Sequence, residues 1–474
     1  MVLGNTHVSS RALAALLLAI TLMASPPMFA KDNGVIILRL EDGGRTGGLG
    51  ESRERVPETP ISADSNRVGE IAPLDECPVI VVPPCSDRPA RLPDVSKAGS
   101  AVLMDAETGQ IIFQKNAHTR RPNASTTKIM TAILLIENVG MDQWITASKK
   151  ASLTPYTSIH LKPGEKIQAR DLLMGLMIRS ANDAAVAIAE HVGGSTSKFA
   201  AMMNRKAREI GCKDTHFVTP NGLYAKDHYS SAYDLCLMAR YAFRYPIFNE
   251  VISTRKHVLS SRTMNREDLA VFAKHRFMKN YSGADGVKSG YIRQAGYCLV
   301  GSATRDGWRL VAAVLKSDDS ARDTAALMDY GFNGFRPYTI AKADTACAGA
   351  AVDGGAAEKV RVAPAKDLKV IVPRTGARIV TRLDLKPLEA PITKGTPVGT
   401  VVVSVNGVDT TPVELRAAED LGISMARRVW WLTKAGVLLV AVVAGMRYGT
   451  AFTKGARRRG RRVTAPLRGV DRFR

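Results

Sequence analysis

The sequence of 474 residues is poor in the residue types that build metal and thiol sites, with only six cysteines and eight histidines. No Cys/His spacing typical of zinc occurs, and no cysteine has a histidine partner in a known motif, so we predict neither a metal site nor a cysteine nucleophile. No organic cofactor motif is present either. Aromatic residues make up 6% of the chain. Without an RNA-binding motif or a basic-aromatic ladder, no nucleic-acid partner is predicted.

Positive charge is abundant but unevenly placed. The formal net charge is +22, and residues 447–474 alone carry ten basic residues against one acid, Asp471, a net +9. Directly before this basic tail, residues 429–446 are apolar except for Thr433 and Lys434. At 1.5 Å per residue such a helix is about 27 Å long, enough to cross the apolar core of a bilayer. We therefore predict a transmembrane helix with a cytoplasmic basic tail; a helix that lies on the membrane surface is the alternative.

The N-terminus has the pattern of an export signal, residues 1–30. Arg11 precedes an apolar run at 13–24, and Phe29-Ala30 is a plausible cleavage site. An uncleaved N-terminal anchor is the alternative. In both cases the body of the protein leaves the cytoplasm.

Composition divides the rest of the chain into four segments. Many glycines, prolines and charged residues without periodicity are typical of a linker. A mixture of strand and helix patterns is typical of an α+β domain. Short strand-like runs between Gly/Pro turns are typical of an all-β domain. The predicted segments are a linker, largely disordered (31–96), an α+β domain (97–338), an Ala/Gly-rich linker (339–357) and a small all-β domain (358–418). In the first linker, Cys77 and Cys85 could close a small loop in an oxidising compartment.

In the α+β domain, strand patterns are followed by a block of helical patterns and then by strand patterns again. This order predicts a mostly antiparallel sheet. A hairpin with its turn at 105–109 is followed by a mostly apolar, hence buried, helix from 122 to about 137. Further helices are predicted at about 169–178, 183–192, 196–210, 231–244 and 321–335, and further strands at about 284–291, 296–303 and 309–315.

Three short motifs in this domain carry candidate chemistry, although each is weak alone. Ser-x-x-Lys occurs three times, Ser-x-Asn twice and Lys-Ser-Gly once. Each serine could simply cap a helix, and each lysine could be solvated. Their order within one domain selects one set. The set is Ser125-x-x-Lys128, Ser180-Ala181-Asn182 and Lys288-Ser289-Gly290.

Ser125 and Lys128 open the buried helix, whereas Ser195-Lys198 and Ser253-Lys256 lack that context. At i and i+3 the two side chains share a face. The helix N-terminus offers free N–H groups to an oxyanion near Ser125. Apolar surroundings lower the pKa of a lysine, and a second cation lowers it further. A neutral Lys128 could then accept the Ser125 proton, which activates the nucleophile without histidine.

The second motif, Ser180-Ala181-Asn182, falls in a break between two predicted helices, so its side chains can project into a cleft. There Ser180 could relay a proton to a leaving amine, and Asn182 could hold a substrate amide.

The third motif ends a predicted strand. Lys288 and Ser289 can bind a carboxylate, and Gly290 lets a substrate backbone approach closely. The N–H of Tyr291 could serve as the second oxyanion donor, beside that of Ser125.

These motifs resemble the three active-site motifs of the D-alanyl-D-alanine carboxypeptidases, the low-molecular-mass penicillin-binding proteins. The resemblance covers about residues 97–338, and 358–418 resemble the family's C-terminal β domain. The matching segments are Pro122-Asn123-Ala124-Ser125-Thr126-Thr127-Lys128, Ser180-Ala181-Asn182-Asp183-Ala184 and Asp285-Gly286-Val287-Lys288-Ser289-Gly290-Tyr291.

This resemblance implies a β-lactamase/transpeptidase-like catalytic fold and removal of the terminal D-Ala from peptidoglycan stem pentapeptides, with β-lactams as inhibitors. By the same resemblance Ser125 is the acyl-ester nucleophile, Lys128 the proton acceptor, and Ser180 a catalytic serine. Lys288 would bind substrate. The layout implies an enzyme of the inner (cytoplasmic) membrane with its catalytic domain outside the cytoplasm. Ser289 departs from the pattern, since many relatives have Thr there.

Three other functions use the same motifs. A β-lactamase needs a dedicated deacylating group, commonly in Glu-x-x-x-Asn, and none lies between the second and third motifs. A D,D-endopeptidase would use the same residues. A non-catalytic wall-binding protein is disfavoured because the motif residues are intact. Arg322 could bind the substrate carboxylate, but no motif places it.

Overall fold

The structure, a computed structural model, describes residues 73–75, 78–264, 270–273 and 275–459, with side chains up to residue 447. The predicted signal peptide (1–30), the first predicted linker up to residue 72, Cys77 and the basic tail from residue 460 onwards lie outside the described residues.

The strands of the described residues are two to ten residues long. In chain order they are β1 (Val79–Val82), β2 (Ser100–Asp105), β3 (Ile111–Lys115), β4 (Trp144–Thr146), β5 (Lys166–Gln168), β6 (Lys256–Val258), β7 (Ala270–Phe272), β8 (Ala284–Ile292), β9 (Gly296–Arg305), β10 (Trp308–Ser317), β11 (Phe335–Ala341), β12 (Ala348–Asp353), β13 (Lys359–Pro364), β14 (Leu368–Pro373), β15 (Ala377–Leu385), β16 (Leu388–Glu389), β17 (Pro397–Val405), β18 (Val408–Asp409) and β19 (Val413–Ala417).

Most helices lie between β3 and β8. In chain order the α-helices are α1 (Lys128–Asn138), α2 (Lys149–Ser152), α3 (Ala169–Met174), α4 (Asn182–Gly193), α5 (Thr196–Ile210), α6 (Ala232–Ala242), α7 (Pro246–Ser253), α8 (Arg276–Asn280), α9 (Ser320–Gly334) and α10 (Met425–Arg459). A 3-10 turn (Ala124–Thr127) precedes α1, and a π-helical turn (Gly175–Arg179) follows α3.

The α+β domain is built on a five-stranded sheet with the order β3-β2-β10-β9-β8, antiparallel throughout. Both faces of this sheet are covered. Leu299 and Ala312 pack in a cluster with residues of α9, whereas Val300 and Ala313 pack in the cluster of the helical block. Because both faces are buried, the central strands are nearly continuous apolar runs. The predicted α+β class with an antiparallel sheet is confirmed.

Helix α1 runs through the centre of the helical block. Ile129, Met130 and Ile133 are completely buried, and the helix contacts α4, α5 and α6. A helix that is apolar on all sides has to be surrounded in this way. Whatever stands at its N-terminus is therefore held rigidly in the middle of the domain.

The all-β domain begins earlier in the chain than the sequence indicates. Strand β12 and the end of β11 lie inside the predicted linker 339–357. The linker prediction failed here because Ala348-Gly349-Ala350-Ala351-Val352 has the composition of a linker, yet its alternate residues are buried against β13. The domain consists of an eight-stranded sheet and the pair β11–β14, with one shared core.

Strand β1 corrects the first predicted linker, 31–96. It pairs antiparallel with β15, Val79 lying opposite Val380, at the edge of the eight-stranded sheet. Ile80 and Val82 are buried in the core of the all-β domain. A four-residue strand between prolines, whose partner lies far along the chain, carries no local hairpin signal.

The chain after β1 leaves the β domain and enters the catalytic domain. Near β1 it still contacts the β domain, since the N–H of Cys85 donates to the Arg374 carbonyl at 2.7 Å and Arg336 donates to the Pro83 carbonyl at 3.3 Å. Further along, Val95 and Ala98 are buried in the cluster that contains residues of α9. On the other side of the same junction, the Gln110 side chain makes two hydrogen bonds of 2.8 Å with the backbone of Ile371. The domains are thus joined by two passages of the chain, before β2 and after α9.

Helix α10 is the one helix of the described part that is long and apolar enough to cross a membrane, over Met425–Arg447, and none of that stretch is buried in the protein. Trp430 and Trp431 meet edge to face, and Lys434 Nζ lies 3.7 Å above the Trp430 ring.

Candidate active site

Ser125 lies in the 3-10 turn that leads into α1, whereas the sequence predicted a plain α-helix from residue 122. In a 3-10 turn, residues three apart stack directly above each other. This geometry brings Lys128 Nζ to 2.9 Å from Ser125 Oγ. Ser125 is half-buried, whereas Lys128 is fully buried. The structure therefore joins the predicted pair, with the serine hydroxyl on the more exposed side.

Lys128 Nζ has three oxygen neighbours: Ser125 Oγ, Asn182 Oδ1 at 2.7 Å and the Asn221 carbonyl at 2.8 Å. Burial, and after it the charge of Lys288, holds the pKa of Lys128 well below its ordinary value. A neutral amine has two N–H bonds and one lone pair. Asn182 Oδ1 and the Asn221 carbonyl can only accept, so they take the two N–H bonds. The lone pair is left facing the Ser125 hydroxyl, ready to accept its proton.

The orientation of Asn182 is fixed from the opposite side. Its Nδ2 donates to the Pro155 carbonyl at 2.9 Å, and its backbone N–H donates to the Thr157 carbonyl at 2.7 Å. With Nδ2 committed as donor, Oδ1 must be the atom that faces Lys128. The amide of Asn182 thus contacts Lys128, and the substrate contact that the sequence predicts for Asn182 stays a prediction.

Ser180 lies in the break between the π-helical turn and α4, as the sequence predicted. Its backbone is left-handed, with φ 65°, a conformation that costs a non-glycine residue roughly 1–2 kcal/mol. Such strain persists only where the surrounding structure imposes it. Ser180 is half-buried and lies two residues before Asn182, whose Oδ1 contacts Lys128 Nζ.

Lys288 and Ser289 lie on β8, the edge strand of the sheet. Lys288 is buried and its Nζ donates to the Ser289 carbonyl at 2.8 Å. Burial lowers the pKa of Lys288 to about 7. An edge strand also offers unpaired backbone groups to an extended ligand.

Gly290 lets β8 pack against the turn that carries Ser125. A Cβ at this position would lie 2.6 Å from the backbone nitrogen of Ser125, closer than any side chain allows. The glycine thus allows the contact between β8 and the Ser125 turn, and the close approach of a substrate backbone at Gly290 stays a prediction. The next residue, Tyr291, is exposed, and its ring lies 4.7 Å from that of Tyr297.

Sequence reasoning missed the segment that carries Asn221. It contributes a backbone carbonyl, which has no side-chain signature in a sequence. Gly222 has φ 82°, and a Cβ there would overlap the carbonyl oxygen of Ala124. Only glycine lets this loop pack on the turn of Ser125. The Asn-Gly dipeptide, a turn signal, was the one available indication.

His228 fastens this loop and was also missed. Its Nδ1 accepts from the N–H groups of Val218 and Thr219 at 3.0 and 3.2 Å. Nε2 must therefore carry the proton and donate to Thr127 Oγ1, 2.9 Å away. Burial lowers the pKa of His228 to about 4, which agrees with a neutral ring. His228 is a positioning residue that connects the Asn221 loop to the residue before Lys128.

Asp183 anchors the loop on the other side of the site. Its carboxylate accepts from Ser158 Oγ at 2.6 Å and from the N–H groups of Ile159 and Leu161 at 3.2 and 3.0 Å. The same loop supplies the Pro155 carbonyl to Asn182. Asp183 therefore has a structural role. In the sequence, only its position in the motif after Asn182 indicates that it is important.

The rival serine–lysine pairs have ordinary structural roles. Ser195 Oγ caps α5 by accepting from the N–H of Lys198 at 3.2 Å, and Ser253 Oγ donates to the Asn249 carbonyl at 2.9 Å. Arg322, at the start of α9, forms ion pairs with Asp94 and Asp323 at 3.5 and 3.6 Å. The structure does not bring it into the contacts around Lys128.

Comparison with known proteins supports the same reading. The profile of the D-alanyl-D-alanine carboxypeptidase family matches residues 88–319, and that of the penicillin-binding protein 5 C-terminal domain matches 335–422. The chain is 32% identical to D-alanyl-D-alanine carboxypeptidase DacF of Bacillus subtilis over 69% of this chain and 86% of the relative. It is 30% identical to DacA of Escherichia coli over 65% of this chain and 80% of the relative.

Solved structures agree. Penicillin binding protein 5 from Haemophilus influenzae matches with a TM-score of 0.61 and 26% identity, covering 71% of this chain and all of that one. The D-alanyl-D-alanine carboxypeptidase DacD from Francisella tularensis matches with a TM-score of 0.54 and 27% identity over 71% of this chain and 96% of that one. The chain therefore belongs to the serine-type D-alanyl-D-alanine carboxypeptidases, the low-molecular-mass penicillin-binding proteins.

Proposed function

We propose that Ser125 is the nucleophile and Lys128 its general base in the carboxypeptidase reaction of this chain. Lys128 Nζ takes the proton while Ser125 Oγ attacks the carbonyl carbon of the penultimate D-Ala. The observation that carries the proposal is the buried amine 2.9 Å from Ser125 Oγ, whose two other neighbours are obligate acceptors.

The remaining steps follow from the same arrangement. The tetrahedral oxyanion is held by the N–H groups of Ser125 and Tyr291, which the contact at Gly290 keeps close together. The C–N bond then breaks, and the amine of the terminal D-Ala leaves with a proton delivered through Ser180. Water cleaves the acyl-ester by the reverse route. The substrate is the stem pentapeptide of peptidoglycan, with its terminal carboxylate bound by Lys288 and Ser289.

The test compares the wild type with Ser125→Ala, using a stem pentapeptide and a labelled penicillin. We expect D-Ala release and a stable acyl adduct in the wild type, and a loss of at least about 10³-fold of both in the variant, because a removed nucleophile leaves only binding and oxyanion effects. Mass spectrometry measures the acyl adduct, and amino-acid analysis measures the released D-Ala.

Ser195→Ala is the matched control, because that serine belongs to a Ser-x-x-Lys pair that only caps a helix. Rapid turnover of penicillin instead of a stable adduct would identify a β-lactamase. Release of crosslinked peptides in preference to D-Ala would identify an endopeptidase. Equal acylation in Ser125→Ala would exclude Ser125 as the nucleophile.

We further propose that α10 crosses the inner membrane, with the catalytic domain outside the cytoplasm and the basic tail inside. The exposed apolar stretch Met425–Arg447, the tryptophan pair at its outer end and the positive charge beyond Arg447 support this topology.

The topology predicts the fate of an epitope tag placed after Arg474. In right-side-out vesicles, added protease should leave the tag intact until detergent is added, because the bilayer shields it. Immunoblotting measures this, and removal of residues 429–474 should move the enzyme to the soluble fraction. A tag that is lost before detergent treatment would mean that the helix lies on the outer surface.

A further inference from the structure

Four tyrosines on the segments that form the site expose more than half of their surface. The exposed fractions are 82% for Tyr156, 62% for Tyr224, 58% for Tyr291 and 51% for Tyr297. We call these four side chains the tyrosine rim. Aromatic rings contribute large apolar areas and gain free energy when they are covered. Clustered exposed rings are therefore typical of a surface that binds something.

Hydrogen bonds from an active-site residue, Asn182, fix the backbone on both sides of the exposed Tyr156. The carbonyls on either side of it, those of Pro155 and Thr157, both accept hydrogen bonds from Asn182, at 2.9 and 2.7 Å. Between these two anchors Tyr156 has φ 70°, a left-handed backbone that a bulky residue rarely adopts. The ring thus stands in solvent on a strained and doubly fixed backbone, and strain of this kind concentrates at ligand sites.

The other rim tyrosines stand on the two remaining segments of the site. Tyr224 is three residues after Asn221, whose carbonyl contacts Lys128, so its Cα lies within about 11 Å of that contact. Tyr291 follows Gly290 directly and is paired across the sheet with Tyr297. Each of the three segments around the reacting pair therefore presents an exposed tyrosine.

We infer that the tyrosine rim is a subsite for the stem-peptide residues that precede D-Ala-D-Ala. The inference deepens the proposed function and rests on it. An extended peptide advances about 3.3 Å per residue. The reacting D-Ala and the three residues before it therefore span about 13 Å from the scissile bond. This span includes the distance of about 11 Å within which the Cα of Tyr224 lies. Tyrosine suits this ligand, since its ring packs on aliphatic side chains and its hydroxyl bonds amides.

The test compares a full stem pentapeptide with N-acetyl-D-Ala-D-Ala, which lacks the upstream residues. In Tyr156→Asn, Tyr224→Ala and Tyr297→Ala we expect kcat/KM for the pentapeptide to fall about tenfold each, mainly through KM, because part of an aromatic contact is lost. The short substrate and the rate of penicillin acylation should change less than twofold. Asparagine is chosen at 156 because it tolerates a left-handed backbone.

Tyr→Phe at the same positions should retain most of the pentapeptide activity, and Trp144→Ala, an exposed aromatic on β4, should have no effect. Equal losses with both substrates would overturn the inference, because the tyrosines would then act only through the folded site. An unchanged pentapeptide KM would overturn it as well. Absence of penicillin acylation in the wild type would instead refute the proposed function.

Discussion

Replacing Lys128 by Arg is expected to slow acylation about 10³-fold or more while the protein stays folded. Arginine keeps a positive charge at the position but cannot give up its proton in a protein. If the lysine acts as a neutral base, the substitution removes the only lone pair that faces Ser125 Oγ. A general base contributes about 10²–10⁴-fold, and a nucleophile without one is weak.

The rate of adduct formation with a fluorescent penicillin measures the effect, and Lys198→Arg in the capping pair is the matched control. The depressed pKa of Lys128 also predicts that acylation of the wild type falls at acid pH, as the amine becomes protonated. An Arg variant within tenfold of the wild type would show that a fixed cation suffices and that Lys128 is not the base.

Lys288→Met is expected to reduce turnover about 10²–10³-fold and yet to stabilise the fold near neutral pH. If Lys288 binds the substrate carboxylate, as proposed, the loss of turnover follows because truncating one partner of a buried charge pair costs about 2–5 kcal/mol. The gain in stability follows because the substrate-free enzyme buries the Lys288 ammonium, whose Nζ donates, among the described residues, only to the Ser289 carbonyl. Replacing buried ionic groups by apolar ones of similar volume stabilises proteins by about 1–4 kcal/mol.

The stability difference between Lys288→Met and the wild type should depend on pH with a defined sign. Burial lowers the pKa of Lys288 to about 7, whereas the unfolded chain keeps a value of about 10.4. Between these values the unfolded state binds more protons, so this lysine makes the wild type more stable as pH rises. Urea unfolding at pH 6, 7, 8 and 9 should therefore show the variant's advantage largest at pH 6 and smaller at pH 9. Lys97→Met, at an exposed lysine, should show no such trend. A variant less stable than the wild type at pH 6 would contradict the prediction.

Side-chain patterns located much of the site from the sequence. The pairing of Ser125 with Lys128 followed from spacing and from a buried helix, and the break at Ser180 followed from the interruption between two helical patterns. Lys288 followed from its place at the end of a strand. These features are local, since each depends on residues a few positions apart.

The parts that escaped prediction depend on backbone atoms or on distant partners. The Asn221 carbonyl acts through an atom that every residue possesses, and His228 acts on it through two backbone N–H groups. The 3-10 turn at Ser125 differs from an α-helix by one hydrogen-bond register, which composition does not encode. Strand β1 was read as linker because its partner β15 lies near the other end of the chain.

The double connection between the domains has a mechanical consequence. A domain that is connected by a single chain segment can rotate about that segment. A domain that is connected by two separate segments cannot rotate about one without straining the other. Strand β1 pairs with β15 at the edge of the eight-stranded sheet, and the chain that follows it enters the catalytic domain, where Val95 and Ala98 are buried in the cluster with residues of α9. The two connections thus restrict the rotation of the β domain relative to the catalytic domain, which a single flexible linker would allow. A change in the angle between the two domains would therefore have to deform both connections at once.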